Sequence, residues 1–223
     1  MSVETAAIRT ALQRALVAEP ARLDLVALAI ARLDDEPFDD DEVLATLEDW
    51  ADSVREASMR EPDGAVDALT SMLGGKLGLR GDEDQYDDPE NSFLPRVVER
   101  RLGLPILLSI VYIEVGRRAG VPLFGLALPG HFVVGHHPGN ESLLVIDPFA
   151  GGAVLSLDDI EARVVRAGAA LAPEMLSPAS AYTIATRMLR NLLGSYQRRS
   201  LWDKARAAAM LMQAIDPGED ELN

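Results

Sequence analysis

Apolar residues recur at three- and four-residue spacing along the N-terminal part of the chain. Ile8, Leu12 and Leu16, then Leu23, Val26, Ala27 and Ile30, give one apolar face to each of two predicted helices. Val43, Leu44, Leu47, Trp50, Ala51 and Val54 repeat the pattern on a third. Phe38-Asp39-Asp40-Asp41-Glu42 announces that helix, because carboxylates at a helix N-terminus cap free N–H groups and complement the dipole. A fourth helix is predicted from Val66 to Leu77, ending at Gly78. The chain then turns polar from Arg80 to Pro89. Its carboxylates lack the glycine and terminal glutamate spacing of a calcium loop, so a solvated loop is predicted. Asn91 and Ser92 read as caps of a short helix through Phe93, Val97, Val98 and Arg101.

The pattern changes at Gly103-Leu104-Pro105. Proline suits a first helical position, and Ile106 to Val115 is apolar nearly all round, interrupted by Ser109, Tyr112 and Glu114. Such a helix must be enclosed by other elements. Arg117, Arg118 and Gly120 supply its C-terminal signals, with Glu114 as a partner for either arginine. Short strands follow at Leu123–Leu128, His131–Gly135 and Leu143–Ile146, with Pro138-Gly139-Asn140 as a hairpin turn. The expectation is an α+β fold: a helical N-terminal layer, a central buried helix on a small antiparallel sheet, and a C-terminal helical hairpin.

Ser156-Leu157-Asp158-Asp159 starts another helix, and Ser180 to Arg198 and Leu201 to Ile215 form a helical pair. Tyr196, Trp202, Ala205 and Pro217 stand at tetratricopeptide-like spacing. One such unit cannot bury a solenoid face alone, so it is expected to pack back on the rest, and its free face leaves homodimer packing open. The organisation expected is 1–79 as the N-terminal helical part, 80–175 as the core, and 176–223 as the tetratricopeptide-like pair.

Charge and composition narrow the function classes. A formal net charge of −15 opposes binding to nucleic acid or to an anionic membrane. The longest apolar run, Ile106 to Ile113, is far short of the roughly 20 residues that span a bilayer. The first residues show no basic region ahead of an apolar run, which predicts a cytoplasmic protein. The chain has no cysteine, so disulfides, thiolate catalysis and cysteine-ligated metal are all excluded.

Four segments together carry a family resemblance: Asp87-Asp88-Pro89-Glu90-Asn91-Ser92-Phe93-Leu94, Val98 to Ile106, Leu128-Pro129-Gly130-His131-Phe132 and Ile146-Asp147-Pro148-Phe149. With them the chain resembles the transglutaminase-like superfamily, a branch of the papain-like cysteine hydrolase fold. The closer likeness is to the SirB-type bacterial family, in which tetratricopeptide-like helices follow that domain. The resemblance implies that Gly103-Leu104-Pro105 opens the core helix where catalytic members have Gly-x-Cys, and that Gly120-Val121-Pro122 closes it. Pro105 then stands at the nucleophile position, while His131 and Asp147 match the family's histidine and aspartate.

A thiolate at a helix N-terminus attacks an amide carbonyl while histidine relays the proton and aspartate orients it. Proline offers neither a nucleophilic atom nor an N–H for an oxyanion hole. The expectation is therefore a pseudoenzyme with a vestigial His131–Asp147 pair, acting by binding a protein or peptide partner, and needing no cofactor or metal. The alternative is a hydrolase in which His131 and Asp147 activate water, or in which Ser109 replaces the thiol. Ser109 lies one turn beyond Pro105, about 6 Å up the axis, and otherwise bonds back to the Pro105 carbonyl. Tyr86 and Asn91 are possible accessory residues. All three histidines, His131, His136 and His137, fall close together, but adjacent strand residues point to opposite faces and do not converge on one ion. A third reading makes the protein a regulator acting through its C-terminal helices.

Overall fold

A computed structural model of the protein describes residues 3–59, 64–137 and 142–215. Helices α1 (Val3–Leu16), α2 (Leu23–Ala31) and α3 (Asp40–Ser58) follow the apolar spacing. Asp39 caps α3, its side chain accepting from the Asp41 N–H. Helix α4 (Ala65–Thr70) runs straight into a π-helical turn over Ser71–Lys76, where a single regular helix was expected. The wider turn lies where Gly74 approaches another backbone: a β-carbon there would come 1.8 Å from the Gly151 carbonyl oxygen.

A short parallel pair, β1 (Arg80–Gly81) and β2 (Leu102–Gly103), brackets the polar loop and was not expected from the sequence. Asn91 and Ser92 are not helix caps. They sit inside a 3₁₀ turn, Pro89–Ser92, that Asp88 caps by accepting from the Glu90 N–H, and α5 (Leu94–Arg100) begins afterwards with no side-chain cap. An aspartate followed by proline already fits the capping position, with proline at the first turn position.

Helix α6 (Pro105–Ala119) is the centre of the fold, with every residue from Pro105 to Gly116 buried. Gly120 ends it in the left-handed conformation at φ +80°. Glu114, 1% exposed, accepts from the Leu23 N–H at 2.9 Å and from Arg117 and Arg118, while Arg118 also pairs with the fully buried Asp24. The charges that α6 carries inward thus cap and anchor α2.

Strands β3 (Phe124–Leu128), β4 (His131–His136), β5 (Leu144–Asp147) and β6 (Ala153–Leu155) form one antiparallel sheet in that order. The Pro138-Gly139-Asn140 turn expected between β4 and β5 lies outside the described residues. Strand β6 is short and largely exposed, which left no apolar alternation to predict it. The sheet buries both faces, because side chains alternate. Phe132, Val134 and Ile146 join α6 in the main core, while Leu126, Leu128, Val133 and Val145 pack against Ile160 and Val164. Those last two belong to α7 (Leu157–Arg166), which Ser156 and Asp159 open with a capping box.

Helices α8 (Ala181–Arg198) and α9 (Trp202–Ala214) complete the described chain. Tyr196 is buried and donates to the Leu33 carbonyl at 3.3 Å, and Gln13 donates to the Ala214 carbonyl at 3.2 Å. Ala205 is buried but Trp202 is 64% exposed, and Pro217 falls outside the described residues.

Candidate functional site

The β3–β4 hairpin places His131. Leu128 and His131 face each other across Pro129-Gly130, with Gly130 at φ +68°, the left-handed position that a Pro-Gly turn gives to glycine. Asp147 ends β5, fully buried. His131 Nε2 lies 3.0 Å from Asp147 Oδ1. An ionised carboxylate only accepts, so Nε2 carries the proton and donates, leaving Nδ1 as the ring nitrogen free for another contact. Oδ1 also accepts from the Phe149 N–H at 3.0 Å and the Ala150 N–H at 3.4 Å.

The second oxygen is held from the other side. Arg163 Nη2 lies 3.0 Å from Asp147 Oδ2, an ion pair without hydrogen-bond alignment, since Oδ2 receives no hydrogen bond among the described residues. Burial alone pushes the Asp147 carboxyl up, but the His131 hydrogen bond, the Arg163 charge and the Ala150 N–H outweigh it and hold the group below the usual carboxylate range. Alternation explains the geometry. His131 shares its face with Val133, and Asp147 with Val145, on the side where α7 packs; Arg163 lies between the buried Ile160 and Val164 of that helix. His131, Pro129, Gly130, Arg163, Arg166 and Ala167 line a cleft of about 280 Å³.

Phe149 joins this pair to the polar loop. Its ring meets His131 edge-on at 6.0 Å and Tyr86 at 5.9 Å, and it lies so close over Gly81 that a β-carbon there would come 2.3 Å from ring atoms. Gly81 pairs with Gly103, two residues before Pro105. Tyr86 reaches the pair through Phe149. Burial, with Asp87 nearby, pushes its hydroxyl pKa up against the opposing Arg187 and Arg198 charges.

The other expected site residues are placed elsewhere. Pro105 is the first residue of α6 and buried. Ser109 is fully buried, and its hydroxyl lies 3.5 Å from the Phe132 carbonyl, not on the Pro105 carbonyl as expected. The reason is that the β4 backbone passes directly against this face of α6. Asn91 is buried below the start of α6: its carbonyl accepts from the Leu104 N–H at 3.0 Å and its amide donates to the Gln85 carbonyl at 2.8 Å. It ties the polar loop to the helix. His136 Nδ1 contacts the Pro122 carbonyl at 2.7 Å and His137 stacks on Phe124 at 5.2 Å, so the three histidines do not converge. Among the described residues no group of three or more His, Asp or Glu is placed to hold a metal ion. None of their helices is long and apolar enough to cross a membrane.

Comparison with known proteins shows the family. Residues 41–190 match the transglutaminase-like superfamily. The chain belongs to that superfamily. It is similar to a UPF0162 protein of Xylella fastidiosa (strain 9a5c), 42% identical over 161 residues that cover 69% of this chain and 57% of the relative. A UPF0162 protein of Vibrio cholerae is 26% identical over 166 residues, covering 72% and 61%. F-box only protein 21 of Homo sapiens is 27% identical over 143 residues, covering 61% of this chain and 22% of that protein. The chain thus spans less than two thirds of the length of the curated relatives it matches. No solved structure matches.

Two participants in this candidate site had contacts that the sequence did not indicate. Arg163 is one of two arginines on an amphipathic helix, and only the docking of α7 on the sheet aims it at Asp147. Phe149 belongs to the Ile146-Asp147-Pro148-Phe149 segment that carries the resemblance, but nothing in that segment marks it as the contact between His131, Tyr86 and Gly81.

Proposed function

We propose that this is a non-catalytic transglutaminase-like protein that acts by binding a protein or peptide partner, with the His131 cleft as the receiving surface. The observation that carries the reading is the burial of the nucleophile position. The residue that family resemblance places there, Pro105, is enclosed and has no reactive atom. The nearest hydroxyl on the same helix face, that of Ser109, is fully buried against the Phe132 carbonyl. The Asp147 charge, which in a triad would serve the histidine alone, is matched by Arg163 as well. What remains open to solvent is His131, 14% exposed at its side chain, beside a cleft. Cytoplasmic location and a regulatory role fit this reading, and homodimerisation through the α8–α9 face would be compatible with it.

The test is an assay for acyl transfer. Wild-type protein is incubated with a glutamine-bearing peptide, with and without hydroxylamine, and products are followed by mass spectrometry. No hydrolysis or transamidation above buffer is expected. Robust turnover abolished by His131→Ala would overturn the proposal in favour of a hydrolase that uses His131 and Asp147 to activate water.

A further inference from the structure

The cleft beside His131 has a charge opposite to that of the molecule. The chain carries a formal net charge of −15, yet the six residues lining this cleft include Arg163, Arg166 and His131 and no carboxylate. Asp147 beneath it is fully buried and already matched by Arg163. Arg166, in the last turn of α7, is exposed and has no ion-pair partner among the described residues. Arg187 approaches the same hairpin from α8. Its guanidinium donates to the Leu128 carbonyl at 2.8 Å, directly across the strand pair from His131, and stands over the Phe132 ring at 5.6 Å. It too has no carboxylate partner among the described residues, and its burial pushes its pKa down. Leaving cations unpaired around one turn, in a chain rich in carboxylates, leaves a local positive field facing a concave surface.

We propose that this cleft receives a carboxylate of an acidic peptide segment, bound by the exposed Arg166 guanidinium, with the unpaired Arg187 at the neighbouring hairpin adding to the positive field around it. The proposal rests on the reading of the cleft as a binding surface and names the chemistry of what binds there. Planar guanidinium groups suit carboxylates because they donate two parallel hydrogen bonds. A peptide, unlike a free anion, adds contacts along the Pro129-Gly130 turn, where no side chain on Gly130 intervenes.

The test uses the full chain and fluorescence anisotropy with a fluorescein-labelled peptide of alternating glutamate and glycine, its glutamine counterpart, and inorganic phosphate and free glutamate as competitors. The glutamate peptide is expected to bind and the glutamine peptide not to. Arg166→Glu is expected to weaken binding by about tenfold or more, the size of one lost charge-assisted contact. Arg206→Glu, at an exposed residue of α9, is the control for general charge and is expected to leave binding unchanged. Circular dichroism confirms that both variants fold. No binding up to about 1 mM peptide, equal binding of the glutamine peptide, or equal losses in the two variants would each overturn the carboxylate site. Phosphate displacing the peptide as well as free glutamate does would overturn its preference for carboxylate. Mass spectrometry of the same samples separates the two claims. Cleavage of a bound peptide would sink the non-catalytic reading and leave the site standing, whereas an uncleaved, unbound peptide sinks only the site.

Discussion

Arg163 lies 3.0 Å from the Asp147 oxygen that His131 leaves open, so one buried carboxylate joins α7 to both strands of the candidate site. The Asp147 pKa is held below the usual carboxylate range, which fixes the sign of its contribution to stability. A group with a depressed folded pKa stabilises above its unfolded value, near 4, and loses that contribution as pH falls through the folded value. Asp147→Asn keeps the shape and removes the charge. Its cost is expected to be about 1–3 kcal/mol, reduced because Arg163 is a third exposed and stays solvated. In urea denaturation the gap between wild type and variant should be constant above about pH 5 and should close below about pH 4. A gap that widened on acidification would contradict the assignment.

Glu114 is expected to matter more. Its side chain is 1% exposed and caps the first N–H of α2 while holding Arg118, itself 7% exposed. Glu114→Ala leaves that arginine and Asp24 as an incomplete buried cluster and should cost about 3–5 kcal/mol. Glu114→Gln keeps an acceptor for the Leu23 N–H and should cost less. Urea midpoints of the two variants test the ordering.

Gly74 and Gly75 give a sharper contrast. A β-carbon at Gly74 would come 1.8 Å from the Gly151 carbonyl oxygen, whereas one at Gly75 meets nothing within 4 Å. Gly74→Ala should therefore cost at least about 3 kcal/mol, because two backbones have to separate. Gly75→Ala should be neutral or stabilising by up to about 1 kcal/mol. The turn from Asp147 to Gly152 rests on the Gly74 contact, closed by the Gly152 N–H donating to the Asp147 carbonyl at 2.9 Å. Hydrogen exchange of Ala150 and Gly152 should accelerate in Gly74→Ala and not in Gly75→Ala.

These residues also show where sequence reading stops. His131 and Asp147 were legible because each sits in a local motif, after Pro-Gly and before Pro-Phe, whose turn chemistry is written in neighbouring residues. The buried helix was legible from its all-round apolar pattern. The Gly74–Gly151 contact was not, because two backbones touching leave no periodic mark on either segment. Arg163 belongs to the same class: its helix face was predictable, but its target depended on which strands α7 covers. Ser109 showed the limit of local reasoning, since its hydroxyl was assigned to its own helix and faces the neighbouring strand.

Pro105→Cys tests how far the site departs from a working thiol hydrolase. Position 105 is the first residue of α6, where proline is favoured but not required, so the variant should fold with a loss of less than about 1 kcal/mol. The new thiol would be enclosed with the rest of the first helical turn. Iodoacetamide should label it slowly in the native protein and quickly in urea. No amide hydrolysis or transamidation should appear, because an enclosed thiol admits no substrate carbonyl and Asp147 stays shared with Arg163. Rapid native labelling together with turnover would instead mean that a single substitution separates this protein from an enzyme, and that the burial of Pro105 does not by itself shut the site.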